Sequence, residues 1–278
     1  QEYIVQKQSN GSIVGQGNIM IGVEAPLINW RGRCLLLIEK SLASPLAVEI
    51  DQWRADVLGD GWFVDTIHMD ATEAVVAVKD IISNWYDENY DLQQSLFLLG
   101  HIPVPYSGNI APDGHGDHVG AWPSDAFYGE FDGFWTDNSI DNVTARRDAN
   151  KNIPGDGKYD QSFLTSPMDL QVGRVDFSNL PAFTDSEVEL TRTYLNKNHA
   201  FRTKDFDVPR RAIIENNFAS FQEGFAQNGW NNFVPFFGPD HVAYGNYDEV
   251  LKTDEYLCSY ACGPGSYTSA GGIGNTSN

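Results

Sequence analysis

Between residues 33 and 100, short apolar runs alternate with segments whose apolar residues recur at helical spacing. Residues 33–39, 62–68 and 95–100 are apolar runs of the length and composition typical of strands buried on both faces. The segments between them carry apolar residues every three or four positions, as amphipathic helices do. The order strand, helix, strand, helix, strand predicts right-handed crossovers and a parallel sheet covered by helices.

Two local signals predict where these helices begin. Ser44 is a suitable N-cap, with Pro45 at the first helical position. Asp70 and Glu73 have the spacing of a capping box before the second helix. In sheets of this kind ligands bind beyond the carboxyl ends of the strands, and His101 leaves the third strand at that edge.

The same alternation returns after residue 204. Residues 211–215, 233–237 and 256–262 are short apolar runs that we interpret as strands. Phe218, Phe221 and Phe225 give an apolar helical face between the first two of these runs. The sequence therefore predicts an α/β fold with two subdomains, whose mainly parallel sheets are flanked by helices.

These patterns divide the chain into five parts. The first part, residues 1–32, alternates loosely and predicts an arm or short strands. It is followed by the first α/β subdomain at residues 33–120 and by a loop region rich in Asp, Asn and Gly at residues 121–183. A connector helix at residues 184–204 then leads to the second α/β subdomain at residues 205–278. The last part ends as though more sheet should follow. An open sheet edge of this kind is exposed and favours pairing with another chain.

Composition narrows the possible partners. The 278-residue chain carries a formal net charge of −20. Nucleic acids and anionic membranes require basic patches, so neither is an expected partner. No run of about 18 apolar residues is present, so we expect no membrane insertion. The start at Gln1 rather than Met suggests a processed or trimmed product. The excess of acid fits either a solvated extracellular surface or carboxylates held for Ca²⁺, and we expect a protein that is secreted, extracellular or held at the cell surface.

The Asp-rich loop region predicts a calcium site. Oxygen ligands at alternate positions of a glycine-containing loop are what Ca²⁺ requires. The segment is not a regular EF-hand loop, because Ile153 stands where that loop has an invariant glycine. The alternative is that these residues are ordinary turn formers. The first set of candidate ligands is Asp148, Asn150, Asn152, Asp156 and Asp160, and a second set is Asp132, Asp137 and Asn138.

A histidine-containing loop at residues 113–118 is a second candidate metal site. His115, Asp117 and His118 are potential Zn²⁺ ligands, with His101 or Asp125 completing the set. Such a site would make the chain a metal-dependent hydrolase. No HExxH helix or paired-cysteine spacing supports it, and surface His and Asp residues are the simpler interpretation.

Cysteines and one sequon complete the candidate chemistry. Cys34, Cys258 and Cys262 are too few for a disulfide scaffold. Cys262 is either a nucleophile or a small buried residue at the end of a strand. The tripeptide that begins at Asn142 matches a glycosylation acceptor, a motif that also occurs often by chance.

Several motifs in order resemble the gingipain-type cysteine peptidase family, whose fold is caspase-like. LFLLGHIPVP at residues 96–105 is followed by SDAFYG at residues 124–129, the Asp-rich loop, VGR at residues 172–174, a connector helix and a second α/β subdomain. The resemblance runs from about Arg33 to the C terminus. It implies a caspase-like fold, bound calcium and peptide hydrolysis by a Cys–His dyad.

The dyad expected from this resemblance can be placed in two ways. In the family, a His-Gly pair follows one strand of the second subdomain and the nucleophilic Cys follows the next. By strand count Cys262 and Gly263 occupy the place of the His-Gly pair. This alignment predicts a secreted calcium-binding module without a complete dyad. Such a module would bind a protein or peptide, or self-associate through its sheet edge.

The other alignment makes Cys262 the nucleophile and His241 its partner base. It requires one strand of the family's second sheet to have been lost, and His241 is followed by Val242 rather than Gly. On this alignment the chain is an active cysteine peptidase.

Overall fold

The computed structural model describes residues 2–20, 31–88, 93–112, 114–181, 183–219 and 224–264. The chain divides into two compact units, Gln1–Asp176 and Phe177–Asn278. Each contains a parallel sheet flanked by helices, which confirms the predicted α/β class with mainly parallel sheets.

An antiparallel hairpin opens the first unit. Its strands are β1, Glu2–Ser9, and β2, Ser12–Met20. Asn10 and Gly11 join them with φ angles of 49° and 80°, the positive values that a tight hairpin turn requires. The short strands expected in residues 1–32 are thus present as far as Met20, and residues 21–30 lie outside the described part of the chain.

The first unit then alternates strands and helices. Its elements in chain order are β3 (Gly32–Glu39), α1 (Lys40–Ala43), α2 (Ala47–Gly59), β4 (Trp62–Met69), α3 (Val75–Asp87), β5 (Gln94–Leu99), β6 (Tyr106–Ile110), β7 (Gly120–Pro123), α4 (Ala126–Gly129) and β8 (Gln171–Val175). The main sheet has the order β4-β3-β5-β8, and all its strands are parallel. β6 and β7 form a separate antiparallel pair.

β3 lies at the centre of the first core. Leu35, Leu36, Leu37 and Ile38 are at most 1% exposed, because helices cover both faces of the sheet. On one face Trp53 of α2 stacks on Phe97, with ring centroids 4.9 Å apart. On the other face Val78, Ile82 and Trp85 of α3 pack with Leu35 and Leu37. The buried strand predicted from residues 33–39 is therefore present.

The fourth strand was not predicted. β8 lies inside the segment predicted as loop, and it pairs with β5 through positions such as Leu98 and Arg174. Its sequence, QVGRV, contains Gly173 and Arg174 and has no apolar run that would mark it as a strand. Only its pairing with β5 shows that the long loop returns to the sheet.

Both predicted helix starts in the first unit are wrong. α1 begins before Ser44, and Glu39 caps it by accepting a hydrogen bond from Ser41 N at 3.0 Å. α2 begins after Pro45, with Leu46 as an N-cap that makes no side-chain hydrogen bond. α3 begins at Val75 without a side-chain cap.

The predicted capping box before α3 does not form. The carboxylate of Asp70 instead forms an ion pair with Lys40. Tertiary charge pairing has therefore replaced the local cap that the sequence spacing indicated.

The second unit has a smaller sheet. Its elements are α5 (Glu187–Thr203), β9 (Ala212–Asn216), α6 (Phe225–Phe237), β10 (Val242–Tyr244), α7 (Tyr247–Val250) and β11 (Cys258–Cys262). The strands are parallel in the order β10-β9-β11. The predicted connector helix is α5, which Ser186 caps by accepting a hydrogen bond from Glu189 N.

One predicted strand of this unit is a helix. Residues 233–237 lie in α6, and the strand that follows is β10. Trp230, Phe233, Val234 and Phe237 fall on one helical face and pack against the core of the second sheet. A five-residue apolar run fits either structure, and packing of that face against the sheet decides for the helix.

Candidate functional site

Cys262 and His241 lie at opposite ends of the second sheet. Cys262 ends β11 and pairs with Asn216 at the carboxyl end of β9. His241 precedes Val242, which pairs with Ala212 at the amino end of β9. His241 is thus level with position 211 and Cys262 with position 216, about 16 Å apart along the strands at about 3.3 Å per residue. The predicted pairing of this thiol with this imidazole is therefore wrong.

The Cys262 thiol lies in surroundings that keep it protonated. It is 7% exposed, and its Sγ lies 3.7 Å from Glu215 O and 3.6 Å from Asn216 Oδ1. Burial raises the pKa of the thiol, although the backbone N–H of Asn217 opposes the change. A neutral thiol that donates to a carbonyl is a poor nucleophile.

Glu215 organises the same edge of the second sheet. Its buried carboxylate accepts hydrogen bonds from Asn217 Nδ2 at 2.9 Å and from Tyr247 N at 3.1 Å. Tyr247 is the first residue of α7, so Glu215 joins the end of β9 to the start of that helix. These contacts give the carboxylate a structural role.

At the corresponding edge of the first sheet an imidazole lies beside a carboxylate. His101 follows β5 and Asp176 follows β8, and their Nδ1 and Oδ2 atoms are 2.8 Å apart. The predicted position of His101 at this edge is therefore observed. The only cysteine of residues 1–176 is Cys34, which lies buried near the amino end of β3. This edge consequently has an oriented imidazole but no thiol.

The proposed zinc ligands do not gather. The rings of His115 and His118 are 5.6 Å apart, and His118 Nε2 lies 3.8 Å from Asp117 Oδ2. Arg146 Nη1 donates to the same Asp117 oxygen at 3.1 Å. The carboxylate of Asp125 instead accepts hydrogen bonds from an arginine. Within the described ranges, no group of three or more His, Cys, Asp or Glu residues is placed to hold a metal ion.

That arginine is Arg174, which brings together the motifs that carry the family resemblance. Its Nε and Nη2 donate to the two carboxylate oxygens of Asp125 at 2.8 and 2.9 Å. Its Nη1 donates to Ile102 O at 2.5 Å, and its Nη2 also donates to Pro103 O at 3.2 Å. Tyr128 Oη donates to Pro103 O at 2.7 Å. Motifs at residues 96–105, 124–129 and 172–174 thus meet in one structural clamp, which the sequence signalled only by their order.

Asp160 fastens the Asp-rich loop through backbone amides. Its Oδ1 accepts hydrogen bonds from Ser139 N at 3.2 Å and Ile140 N at 2.8 Å. Its Oδ2 accepts from Thr136 Oγ1 at 2.7 Å and Asn138 N at 3.0 Å. Burial opposes ionisation of this carboxyl, but these hydrogen bonds outweigh it and hold the pKa of Asp160 well below its usual range.

Asp137 and Asp156 act in the same way. Asp137 accepts from Gly155 N and Gly157 N, both at 2.7 Å, one at each carboxylate oxygen. Asp156 accepts from Lys158 N at 2.9 Å and forms an ion pair with the Lys158 ammonium at 3.3 Å. These carboxylates therefore accept hydrogen bonds from N–H groups of the loop itself.

The two asparagines of the first calcium set point their amide nitrogens at backbone carbonyls. Asn150 Nδ2 donates to Ala121 O at 2.5 Å. Asn152 Nδ2 donates to Gly108 O at 3.1 Å and to Tyr159 O at 2.9 Å. Both side chains are buried, and they fix the loop against the strands of the small antiparallel pair.

The remaining calcium candidates lie on the surface. Asp148 is exposed and pairs with Lys151 at 2.7 Å, and Asp132 is also exposed. The carboxylate oxygens of Asp137, Asp156 and Asp160 already accept hydrogen bonds from N–H or O–H groups, so a cation would have to displace those donors. As arranged, the residues present do not fit a calcium ion, and calcium binding stays a prediction.

The glycosylation sequon forms a hydrogen-bonded turn inside the fold. Asn142 is buried, and its Nδ2 donates to Asn109 Oδ1 at 2.7 Å. Its Oδ1 accepts from Thr144 N at 2.9 Å. The amide nitrogen that would carry a glycan is therefore engaged inside the fold, and the tripeptide serves as a side-chain turn.

A cleft that sequence reasoning missed lies at the amino ends of β5 and β8. It has a volume of about 610 Å³, and its lining includes Tyr86, Gln94, Asp125, Asp169, Leu170 and Val172. Gln94 and Gln171 are the first residues of their strands, so no sequence motif marks the place. Only the pairing of β5 with β8 assembles it.

Comparison with protein-family models, curated proteins and solved structures finds no match to this chain. The gingipain-type resemblance and the caspase-like fold therefore stay predictions. Among the helices of the described residues, none is long and apolar enough to cross a membrane.

Proposed function

We propose that this chain is a gingipain-like α/β module that acts by binding a partner and does not hydrolyse peptides. The observation that supports this proposal is the register of the second sheet, in which Cys262 and His241 lie at opposite ends. Nucleophilic catalysis by cysteine needs a base within hydrogen-bonding reach of the thiol, at about 3 Å. A separation of about 16 Å along the strands is far beyond that reach and supports a function that does not use His241 as the base.

The state of the thiol supports the same proposal. A catalytic cysteine is partly exposed and has a lowered pKa, so that thiolate is present at neutral pH. Cys262 is buried, and its pKa is raised chiefly by that burial. The thiol therefore fits a packed strand end better than a reacting group.

The expected partner follows from charge and from the resemblance. A net charge of −20 favours a neutral or basic protein or peptide over an acidic one. A location outside the cell, or at its surface, belongs to the same proposal and rests on the acidic composition.

Amidolysis and alkylation together test the proposal. The full chain is incubated with a mixture of fluorogenic peptide amides, and separately with iodoacetamide, with labelling of Cys258 and Cys262 followed by mass spectrometry. We expect no fluorophore release, and slower alkylation of buried Cys262 than of half-buried Cys258. Release of fluorophore that is lost in both Cys262→Ala and His241→Ala would restore the peptidase alternative. Loss in Cys262→Ala alone would show a nucleophile with another base.

A further inference from the structure

Gln94 lines the cleft at the amino ends of β5 and β8 and carries an unpaired buried acceptor. Gln94 is 6% exposed, and its Nε2 donates to Tyr86 O at 3.1 Å. That bond fixes the orientation of the amide, because only the nitrogen can donate to a carbonyl. Its Oε1 is buried and has no hydrogen-bond partner in the part of the chain that the structure describes. A buried acceptor left unpaired is unfavourable, so the cleft favours a ligand that brings a donor.

The charged groups of the cleft are carboxylates. Its described lining contains Asp125 and Asp169 and no Lys, Arg or His. Arg174 already engages both oxygens of Asp125. Among the described residues, Asp169 accepts a side-chain hydrogen bond from Phe131 N alone, at 2.8 Å and through Oδ2. Asp169 is therefore the carboxylate of the cleft that has an oxygen able to accept a hydrogen bond from a ligand.

One lysine lies near Asp169 without neutralising it by contact. Lys79 and Asp169 attract each other electrostatically. The Lys79 ammonium, however, donates to Glu130 O and lies 4.2 Å from the centre of the Phe127 ring. The negative charge of Asp169 thus remains available to a ligand in the cleft.

An aromatic wall completes the cleft. The ring of Tyr86 packs against Phe131, with centroids 4.7 Å apart. Burial raises the pKa of Tyr86, and the carboxylates of Asp169, Asp132 and Asp87 raise it further. These carboxylates mark a negative local field, and an aromatic face in such a field attracts cations.

We propose that this cleft binds a small organic cation, a primary alkylammonium group whose N–H groups donate to Gln94 Oε1 and to Asp169. The alkyl stem lies against Leu170 and Val172, which belong to the apolar part of the lining together with Ala126 and Met168. The volume of about 610 Å³ is within the ordinary range for small-molecule sites. This inference rests on the proposed binding function and names its ligand class.

Paired probes of equal length test the inference. The full chain, carrying Cys262→Ala, is titrated with n-butylamine and with 1-butanol at pH 7 while the side-chain amide signals of Gln94 are followed by NMR. We expect saturable shifts with the amine and none with the alcohol. Asp169→Asn keeps an acceptor for Phe131 N but removes the charge, and we expect it to weaken amine binding at least tenfold. We expect Gln94→Leu, in which binding is followed through the backbone amide signal of Val172, to weaken it as well.

The matched control removes the same charge elsewhere. Asp51 lies on the exposed face of α2 in an ion pair with Arg54, and Asp51→Asn should leave amine binding unchanged. Equal loss in Asp51→Asn and Asp169→Asn would mean only general attraction to an acidic protein and would overturn the inference. Equal binding of amine and alcohol, or no binding of either, would also overturn it. Because every protein in this series lacks the thiol, these outcomes do not depend on whether Cys262 is catalytic.

Discussion

The two α/β units share one arrangement of strands. In the parallel sheet of each unit, the strand that comes first in the chain lies in the middle, with the second strand on one side and the third on the other. The orders are β4-β3-β5 in the first unit and β10-β9-β11 in the second. The central strand of each unit also carries a buried glutamate at or next to its last residue, and that glutamate accepts a hydrogen bond from a backbone amide. Glu39 accepts from Ser41 N at 3.0 Å, and Glu215 accepts from Tyr247 N at 3.1 Å. A buried carboxylate at this position therefore anchors the chain where it leaves the sheet, in both units.

The units differ in what is added to that common part. The first has a fourth strand and the Arg174 clamp, and its main cluster contains thirteen buried residues. The described residues of the second form a cluster with five. Since buried apolar area supplies most of the stabilisation, the same deletion should have larger consequences in the second unit.

Core deletions should show the largest effects and test this difference directly. Leu37→Ala in β3 and Ile214→Ala in β9 each remove a fully buried side chain, and we expect each to lower the free energy of unfolding by about 2–5 kcal/mol. Hydrogen exchange followed by mass spectrometry reports each unit separately. We expect Ile214→Ala to abolish protection in residues 212–216 and 258–262, and Leu37→Ala to leave measurable protection in β3 and β5. Equal loss of protection in both variants would contradict the proposed difference in stability.

Loss of the clamp should be the next largest effect. Arg174 is 14% exposed, and Arg174→Ala removes the donor of the Asp125 carboxylate and of Ile102 O, while Pro103 O keeps the hydroxyl of Tyr128. Breaking a largely buried charge pair of this kind destabilises a protein by about 3 kcal/mol. Urea unfolding measures the change, and Arg54→Ala, which breaks an exposed pair, should cost under about 1 kcal/mol. Similar losses in the two variants would mean that the clamp does not organise the first unit.

The Asp-rich loop belongs only to the first unit, and Asp160→Asn tests how it is held. We expect a loss of about 1–3 kcal/mol at pH 7, the usual range for hydrogen bonds to a charged group. The folded-state pKa of Asp160 is lowered, so its stabilisation is present above the unfolded-state pKa of about 3.9 and is lost as the pH falls through the folded value. The difference between variant and wild type should therefore shrink below about pH 4.

Unfolding curves from pH 7 to pH 2 provide the measurement. Asp148→Asn is the control, since Asp148 is fully exposed and pairs only with Lys151, and it should produce no measurable change. A difference between Asp160→Asn and wild type that stays constant with pH would show that the carboxylate charge does not hold the loop.

Calcium should have the smallest effect on either unit. The carboxylates of Asp137, Asp156 and Asp160 already accept backbone amides, so we expect the unfolding temperature to be the same in Ca²⁺ and in EGTA. A ligand at a hundredfold excess over its Kd would add about 2.7 kcal/mol, which a thermal scan detects easily. A clear rise with Ca²⁺, with calcium present in the untreated protein, would restore the site predicted from the sequence.

Local periodicity was sufficient to predict an element where packing in the fold favours the same structure as the element's own pattern. The strand at residues 33–39 is apolar from Cys34 to Ile38, and these five residues are buried as the pattern predicted. The helix that contains Val78, Ile82 and Trp85 likewise follows its own spacing. The run at residues 233–237 was too short to distinguish strand from helix, and packing against the second sheet decided it.

The sequence by itself determined the α/β class, the buried central strands, the connector helix and the acidity of the surface, because each depends on residues near one another or on composition. Only the tertiary structure decided that Arg174 clamps Asp125, that His241 and Cys262 lie apart, and that Gln94 lines a cleft with a side-chain oxygen that has no partner among the described residues. These facts depend on strand order and register, which relate residues far apart in the chain. A pattern of hydrophobic positions fixes which face of a strand is buried, but it does not fix which strand end lies beside which.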